Sequence, residues 1–135
     1  MFYITRKEHF SSSHRLDNPE FSKEKNEEVF GKCHNFHGHN YYIEVTLKGT
    51  PEPGSNYVMD LKQLKQIIHK EILEKVDHKL LNEVDMFVGT IPTTEIMAMK
   101  FWEVLEKKVK RDNVKLYSVK LYETEKNYVE YRGEN

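Results

Sequence analysis

Hydrophobic and polar residues change period repeatedly along this chain, and each change marks an element. Over residues 2–16 aromatic and β-branched residues alternate with small polar ones, Phe2 and Ile4 standing on one side of a two-residue period, which predicts a strand. Residues 18–32 are turn formers and charges, predicting a surface excursion with a short helical turn at 22–29. Residues 37–48 alternate cleanly, with Tyr41, Ile43, Val45 and Leu47 on one face and Tyr42, Glu44, Thr46 and Lys48 on the other. That is the signature of a half-buried antiparallel strand. After a turn at 51–55, Asp60 is placed to cap a helix whose apolar positions, Leu61, Leu64, Ile68 and Ile72, recur every three or four residues and which should end near Lys75 or Val76. Thr93 or Thr94 caps a second helix striped by Ala98, Phe101, Trp102, Leu105 and Val109. Residues 114–123 alternate as a strand, 124–127 turn, and 128–132 form a short last strand.

The order strand, strand, helix, helix, strand, strand predicts an α+β domain: a four-stranded antiparallel sheet with two helices packed on one face. The other face then needs cover. At 135 residues and 16.2 kDa the chain fits a single domain, 1–135. The longest apolar stretches, around Ile67-Ile68 and Phe101-Trp102, are broken by Lys and Glu within a turn, and the first residues lack the apolar core of a secretory signal, so no membrane partner and a cytoplasmic location are expected. Lys plus Arg number 21 against 22 Asp plus Glu, with no basic cluster, which argues against a nucleic-acid partner. A mean hydropathy of −0.76 beside eight Tyr and seven Phe makes burial heavily aromatic, some of it suited to subunit contacts in an oligomer.

The candidate chemistry begins with His37-Gly38-His39. Residues two apart on a strand project from the same face, so both imidazoles can converge on one metal ion. His14, at the end of the first strand, joins them if the first two strands pair. Three neutral imidazoles with an open position form a catalytic zinc geometry, although copper, iron and nickel also accept imidazoles. The plain alternative is a set of surface or hydrogen-bonded histidines. Cys33, the single cysteine, cannot form an internal disulfide and precedes His37 closely; near a cation and a metal its thiolate could act as base or nucleophile, whereas an inert buried thiol is the plain reading. Asp77-His78 can form a proton relay, the carboxylate fixing the imidazole's tautomer; a histidine favoured by a helix C-terminus explains it equally well. Glu123, at a strand end, can accept paired N–H donors from a guanidine-like heterocycle, with Thr93, Thr94 and Glu95 completing the pocket, against readings of helix capping and a solvated charge. His34, adjacent to Cys33, could be a second activating group, although consecutive residues of an extended chain face opposite ways; His9 and His69 read as surface residues.

Seven motifs in order, Phe10-Ser11-Ser12-Ser13-His14-Arg15-Leu16, Phe30-Gly31-Lys32-Cys33, His37-Gly38-His39-Asn40-Tyr41, Val58-Met59-Asp60-Leu61, Val76-Asp77-His78-Lys79, Pro92-Thr93-Thr94-Glu95 and Leu121-Tyr122-Glu123-Thr124, resemble the 6-pyruvoyltetrahydropterin synthase and 6-carboxytetrahydropterin synthase family across nearly the whole chain. The resemblance implies the tunnelling fold, in which subunit sheets join into a trimeric barrel and two trimers stack as a homohexamer. It implies Zn2+ on His14, His37 and His39, catalysis by Cys33, Asp77 and His78, and a pterin substrate, 7,8-dihydroneopterin triphosphate, held by Glu123 with Thr93, Thr94 and Glu95 nearby. Arg15 and Lys32 are candidates for its triphosphate. Between the branches, the three residues separating Cys33 from His37 resemble the 6-carboxytetrahydropterin branch of queuosine biosynthesis, which releases acetaldehyde; the Phe-Gly-Lys-Cys run resembles the tetrahydrobiopterin-type pyruvoyl branch. Weighting the spacer makes 6-carboxytetrahydropterin synthase the expected activity, 6-pyruvoyltetrahydropterin synthase the alternative, and a non-catalytic pterin- or metal-binding module the rival of another class.

Overall fold

In the computed structural model, which describes residues 1–134, β1 (Phe2–His14) and β2 (His37–Gly49) pair antiparallel along their whole lengths, Phe2 opposite Gly49 and His14 opposite His37. β3 (Val114–Tyr122) pairs with β2, and β4 (Tyr128–Tyr131) with β3, giving the order β1-β2-β3-β4, antiparallel throughout. The expected sheet is therefore present. β1 stops at His14 rather than running on to Leu16, because the next backbone donors turn away from β2. The Arg15 N–H goes to Asn82 Oδ1 and the Leu16 N–H to the Cys33 carbonyl.

The excursion between β1 and β2 carries a helix, α1 (Lys23–Phe30), capped by the Ser22 hydroxyl, which accepts from Lys25 N. Buried Asn26 ties it down, accepting from Asn18 N and donating to Asn18 O. The sequence pattern for the second helix is resolved into α2 (Leu61–Ile68), a π-helical turn at His69–Leu73 and α3 (Glu74–Val76). Apolar positions spaced by four drift about 40° per step around an α-helix. The wider π turn takes up that drift, so Ile72 and Val76 are both buried with Leu64 and Ile68. Leu61, expected on the same stripe, is 46% exposed at the helix start. Two 3₁₀ turns, Leu81–Glu83 and Asp85–Phe87, bury Leu81 and Phe87 before α4 (Thr94–Val109).

The core lies between one sheet face and the helices. Tyr41, Ile43, Val45, Leu47, Val119 and Leu121 meet Leu64, Ile68, Ile72, Ala98, Phe101 and Leu105, all of them fully buried. Phe10 stacks on Tyr41 with centroids 4.9 Å apart and meets Phe101 edge-on at 6.0 Å, joining sheet to α4 at the end where the histidines lie. The opposite sheet face carries Tyr3, Tyr42, Tyr122 and Tyr128 interleaved with lysines that sit over their rings, as Lys7 does over Tyr42. Among the described residues no helix is long and apolar enough to cross a membrane.

Candidate active site

The strand pairing gathers the histidines. With His14 opposite His37 and His39 opposite Ser12, all three imidazoles project to the helix-covered face at one end of the sheet, their ring centroids 4.6 to 5.3 Å apart. Gly38 lets β1 pass closely here, since a Cβ on it would stand 3.2 Å from the Ser12 carbonyl oxygen. Glu123 follows β3 directly and brings its carboxylate to the same place, so that donor atoms of His14, His37, His39 and Glu123 all lie within 4.8 Å of one another.

The donor set fits a metal ion. The His14 Nδ1–H donates to the Pro92 carbonyl at 2.9 Å and the His37 Nδ1–H to the Asn35 carbonyl at 2.7 Å, tautomers that leave both Nε2 lone pairs free. His37 Nε2 and His39 Nε2 are buried with no hydrogen-bond partner, a costly state for a polar atom. His39 Nε2 does lie 2.9 Å from Glu123 Oε1, but without hydrogen-bond alignment. Burial holds the His14 and His39 imidazoles below their ordinary range, favouring the neutral, ligating form.

Glu123 is oriented from behind. The buried Thr94 hydroxyl donates to Oε2 at 3.1 Å, leaving Oε1 turned toward His39 and, at 3.9 Å, His14. Thr93 is the cap of α4, its hydroxyl accepting from Ile96 N, and Glu95 is exposed in the first helical turn. Among the described residues neither has a hydrogen bond or ion pair with the histidine cluster.

Asp77 and His78 sit against the outer edge of β1. Ser11 N donates to Asp77 Oδ1, His78 N to the Ser11 carbonyl and Ser13 N to the Lys79 carbonyl, an edge contact that fixes the pair beside the sheet end. His78 Nδ1 lies 3.0 Å from Asp77 Oδ1, and its backbone takes a left-handed φ of 60°. The Ser11 N–H, with His78 behind it, holds the Asp77 carboxyl below the usual carboxylate range, so it stays ionised. His39 and His78 both line a cleft of about 430 Å³ with Ser13, Gly38 and Asn40.

Cys33 stands half-buried on a 3₁₀ turn, Gly31–His34, outside the four-residue donor group. Burial, helped by the Glu123 and Cys33 charges, pushes the Tyr41 phenol up, and its hydroxyl stands 3.5 Å from His14 Nε2. Pattern alone gave no sign of Tyr41 as a neighbour of the histidines, because it reads as one more apolar position of β2.

A family model described as 6-pyruvoyl tetrahydropterin synthase matches residues 3–134. The chain belongs to this family. It is 43% identical over 132 residues to 6-pyruvoyl tetrahydrobiopterin synthase of Dictyostelium discoideum, covering 97% of this chain and 96% of that one. The solved structure of Caenorhabditis elegans 6-pyruvoyl tetrahydropterin synthase superposes with a TM-score of 0.90 at 37% identity, over 98% of this chain and 96% of that chain. A 6-carboxy-5,6,7,8-tetrahydropterin synthase of Aquifex aeolicus is 30% identical, over 85% of this chain and 83% of its own length. The family assignment and its fold agree with the motifs; the pyruvoyl-branch relatives are the more similar and extend further along the chain, which favours the pyruvoyl alternative over the reading that the spacer suggests.

Proposed function

We propose that this chain is a zinc-dependent 6-pyruvoyl tetrahydropterin synthase, a lyase that eliminates triphosphate from 7,8-dihydroneopterin triphosphate. The observation that carries the branch is the similarity just given, 43% identity over 97% of the chain against 30% over 85% for the carboxy relative. A second reading, 6-carboxytetrahydropterin synthase, keeps one specific support, the three-residue spacer between Cys33 and His37.

His14, His37 and His39 would hold Zn2+ through their Nε2 atoms, His14 exchanging its long 3.5 Å contact with the Tyr41 hydroxyl for the ion. When bound, zinc supplies a Lewis acid that draws in the substrate's side-chain hydroxyls and acidifies the neighbouring C–H bonds. The chain's own residues then divide the work. Glu123, aimed by Thr94, accepts the two parallel N–H groups of the pterin's guanidine-like edge, which replaces its lean toward His39. Cys33, as thiolate, moves the proton at the side-chain carbon next to the ring. Asp77 orients His78 through Nδ1 and leaves Nε2 to exchange a proton with substrate. Redistribution of hydrogen between side chain and ring reduces the ring with no nicotinamide, and triphosphate leaves. The homohexamer belongs to this reading as well: the tyrosine-rich sheet face and the free sheet edge are surfaces that subunit sheets joined into a barrel would cover.

Release of triphosphate from 7,8-dihydroneopterin triphosphate by zinc-loaded protein tests the proposal. Cys33→Ala should retain zinc and pterin affinity and lose turnover. A wild-type chain that binds pterin and releases nothing would make it a binding module.

A further inference from the structure

The turn that carries Cys33, and His34 and Phe36 after it, are tied to residues that follow His14. The Leu16 N–H donates to the Cys33 carbonyl at 2.9 Å, and Arg15 Nε donates to the His34 carbonyl at 2.7 Å, so two consecutive carbonyls of the thiol-bearing turn are tied to the exit of β1. The His34 side chain, 11% exposed, completes the tie. Its Nε2 lies 2.8 Å from Asp17 Oδ1 and 2.7 Å from Arg15 Nη2; the Nε2–H donates to the carboxylate, and the guanidinium, which can only donate, pairs with Asp17 at 3.8 Å rather than with the ring nitrogen. The guanidinium also covers the face of Phe36 at 5.5 Å. Arg15 uses its Nε and one Nη in these contacts.

We infer that Arg15, Asp17 and His34 form a clamp that positions the Cys33 thiol relative to the histidine cluster, with contact rather than spacer length setting where the thiol stands. All three are positioning residues. A side chain exposed for solvation alone would not be buried between a carboxylate and a guanidinium whose other donor holds its own backbone. The functional consequence rests on the proposed lyase reading, while the placement of the thiol does not.

Because Cys33 is the chain's single cysteine, a ¹³C-methylthio group can be attached to it and to nothing else. In His34→Ala the label's resonance should leave its wild-type position and broaden or split, and His34→Gln, whose amide keeps a donor for Asp17, should restore it. In unlabelled protein, His34→Ala and Asp17→Ala should lower kcat about 10- to 100-fold, with KM, zinc content and melting temperature near wild type, and His34→Gln should recover most of the loss. An unmoved resonance and unchanged kcat in His34→Ala overturn the clamp. A loss of zinc or folding that tracks the loss of kcat, with no recovery in His34→Gln, overturns it too, as plain structural damage. If wild type turns nothing over, the lyase reading fails and the resonance alone decides the clamp.

Discussion

Glu123 stands where two roles meet, and Glu123→Gln separates them. The carboxylate is fixed by one hydrogen bond, Thr94 Oγ1 to Oε2 at 3.1 Å, and its other oxygen stands 2.9 Å from His39 Nε2. Glutamine is nearly isosteric and can still accept from Thr94, which leaves an NH₂ group where Oε1 was. A heterocycle presenting two N–H donors would then meet one acceptor and one donor. Losing a hydrogen bond to a charged group costs about 1.5–3 kcal/mol, so affinity for a pterin should fall about 10- to 150-fold. Isothermal titration of zinc-loaded wild type and variant with 7,8-dihydroneopterin measures this directly, with metal analysis of the same samples. If pterin affinity stays within twofold while bound zinc drops, Glu123 is a fourth metal ligand and the anchor role is refuted.

Three further outcomes are expected. His37→Ala removes a donor whose Nε2 has no other partner, so zinc retained after dialysis should fall well below one per chain; full occupancy would remove His37 from the ligand set. His78→Ala should lower kcat by about 10² to 10⁴ at unchanged zinc content, and Asp77→Asn should lower it less; an unaffected kcat in His78→Ala would end its role in proton transfer. Burial depresses the His14 and His39 imidazoles in the folded, metal-free chain, so the unfolded chain takes up protons first as pH falls. Their contribution is therefore intact above about pH 6.5 and is lost as pH falls through the lowered values. Melting temperature of metal-free protein should decline on acidification below that point and decline less in His14→Gln; an equally steep decline in both contradicts the assignment.

Much of this site was legible in the sequence because strands convert spacing into geometry. His37 and His39, two apart, had to share a face, and pairing of the first two strands had to bring His14 beside them. Asp60 and the Thr93-Thr94 pair announced their helices as caps, and Asp60 and Thr93 do cap. Contacts between segments far apart in sequence were not legible. Nothing local tells that Ser11 N would hold Asp77, 66 residues away, or that Asn82 would take the Arg15 backbone and end β1 early. The π turn was hidden because apolar residues four apart fit an α-helix over a short window and reveal their drift only over several turns. The spacer is a weak guide to the branch for a related reason: residue count reports chain length, whereas the Cys33 turn is tied to Arg15, Leu16 and Asp17.

The central claim, a lyase of the pyruvoyl branch, is tested most directly by product analysis. Zinc-loaded protein is incubated anaerobically with 7,8-dihydroneopterin triphosphate, the pterin product is identified by mass spectrometry, and acetaldehyde is trapped in parallel. The account predicts 6-pyruvoyltetrahydropterin with triphosphate and no acetaldehyde; 6-carboxytetrahydropterin with an equivalent of acetaldehyde would contradict it.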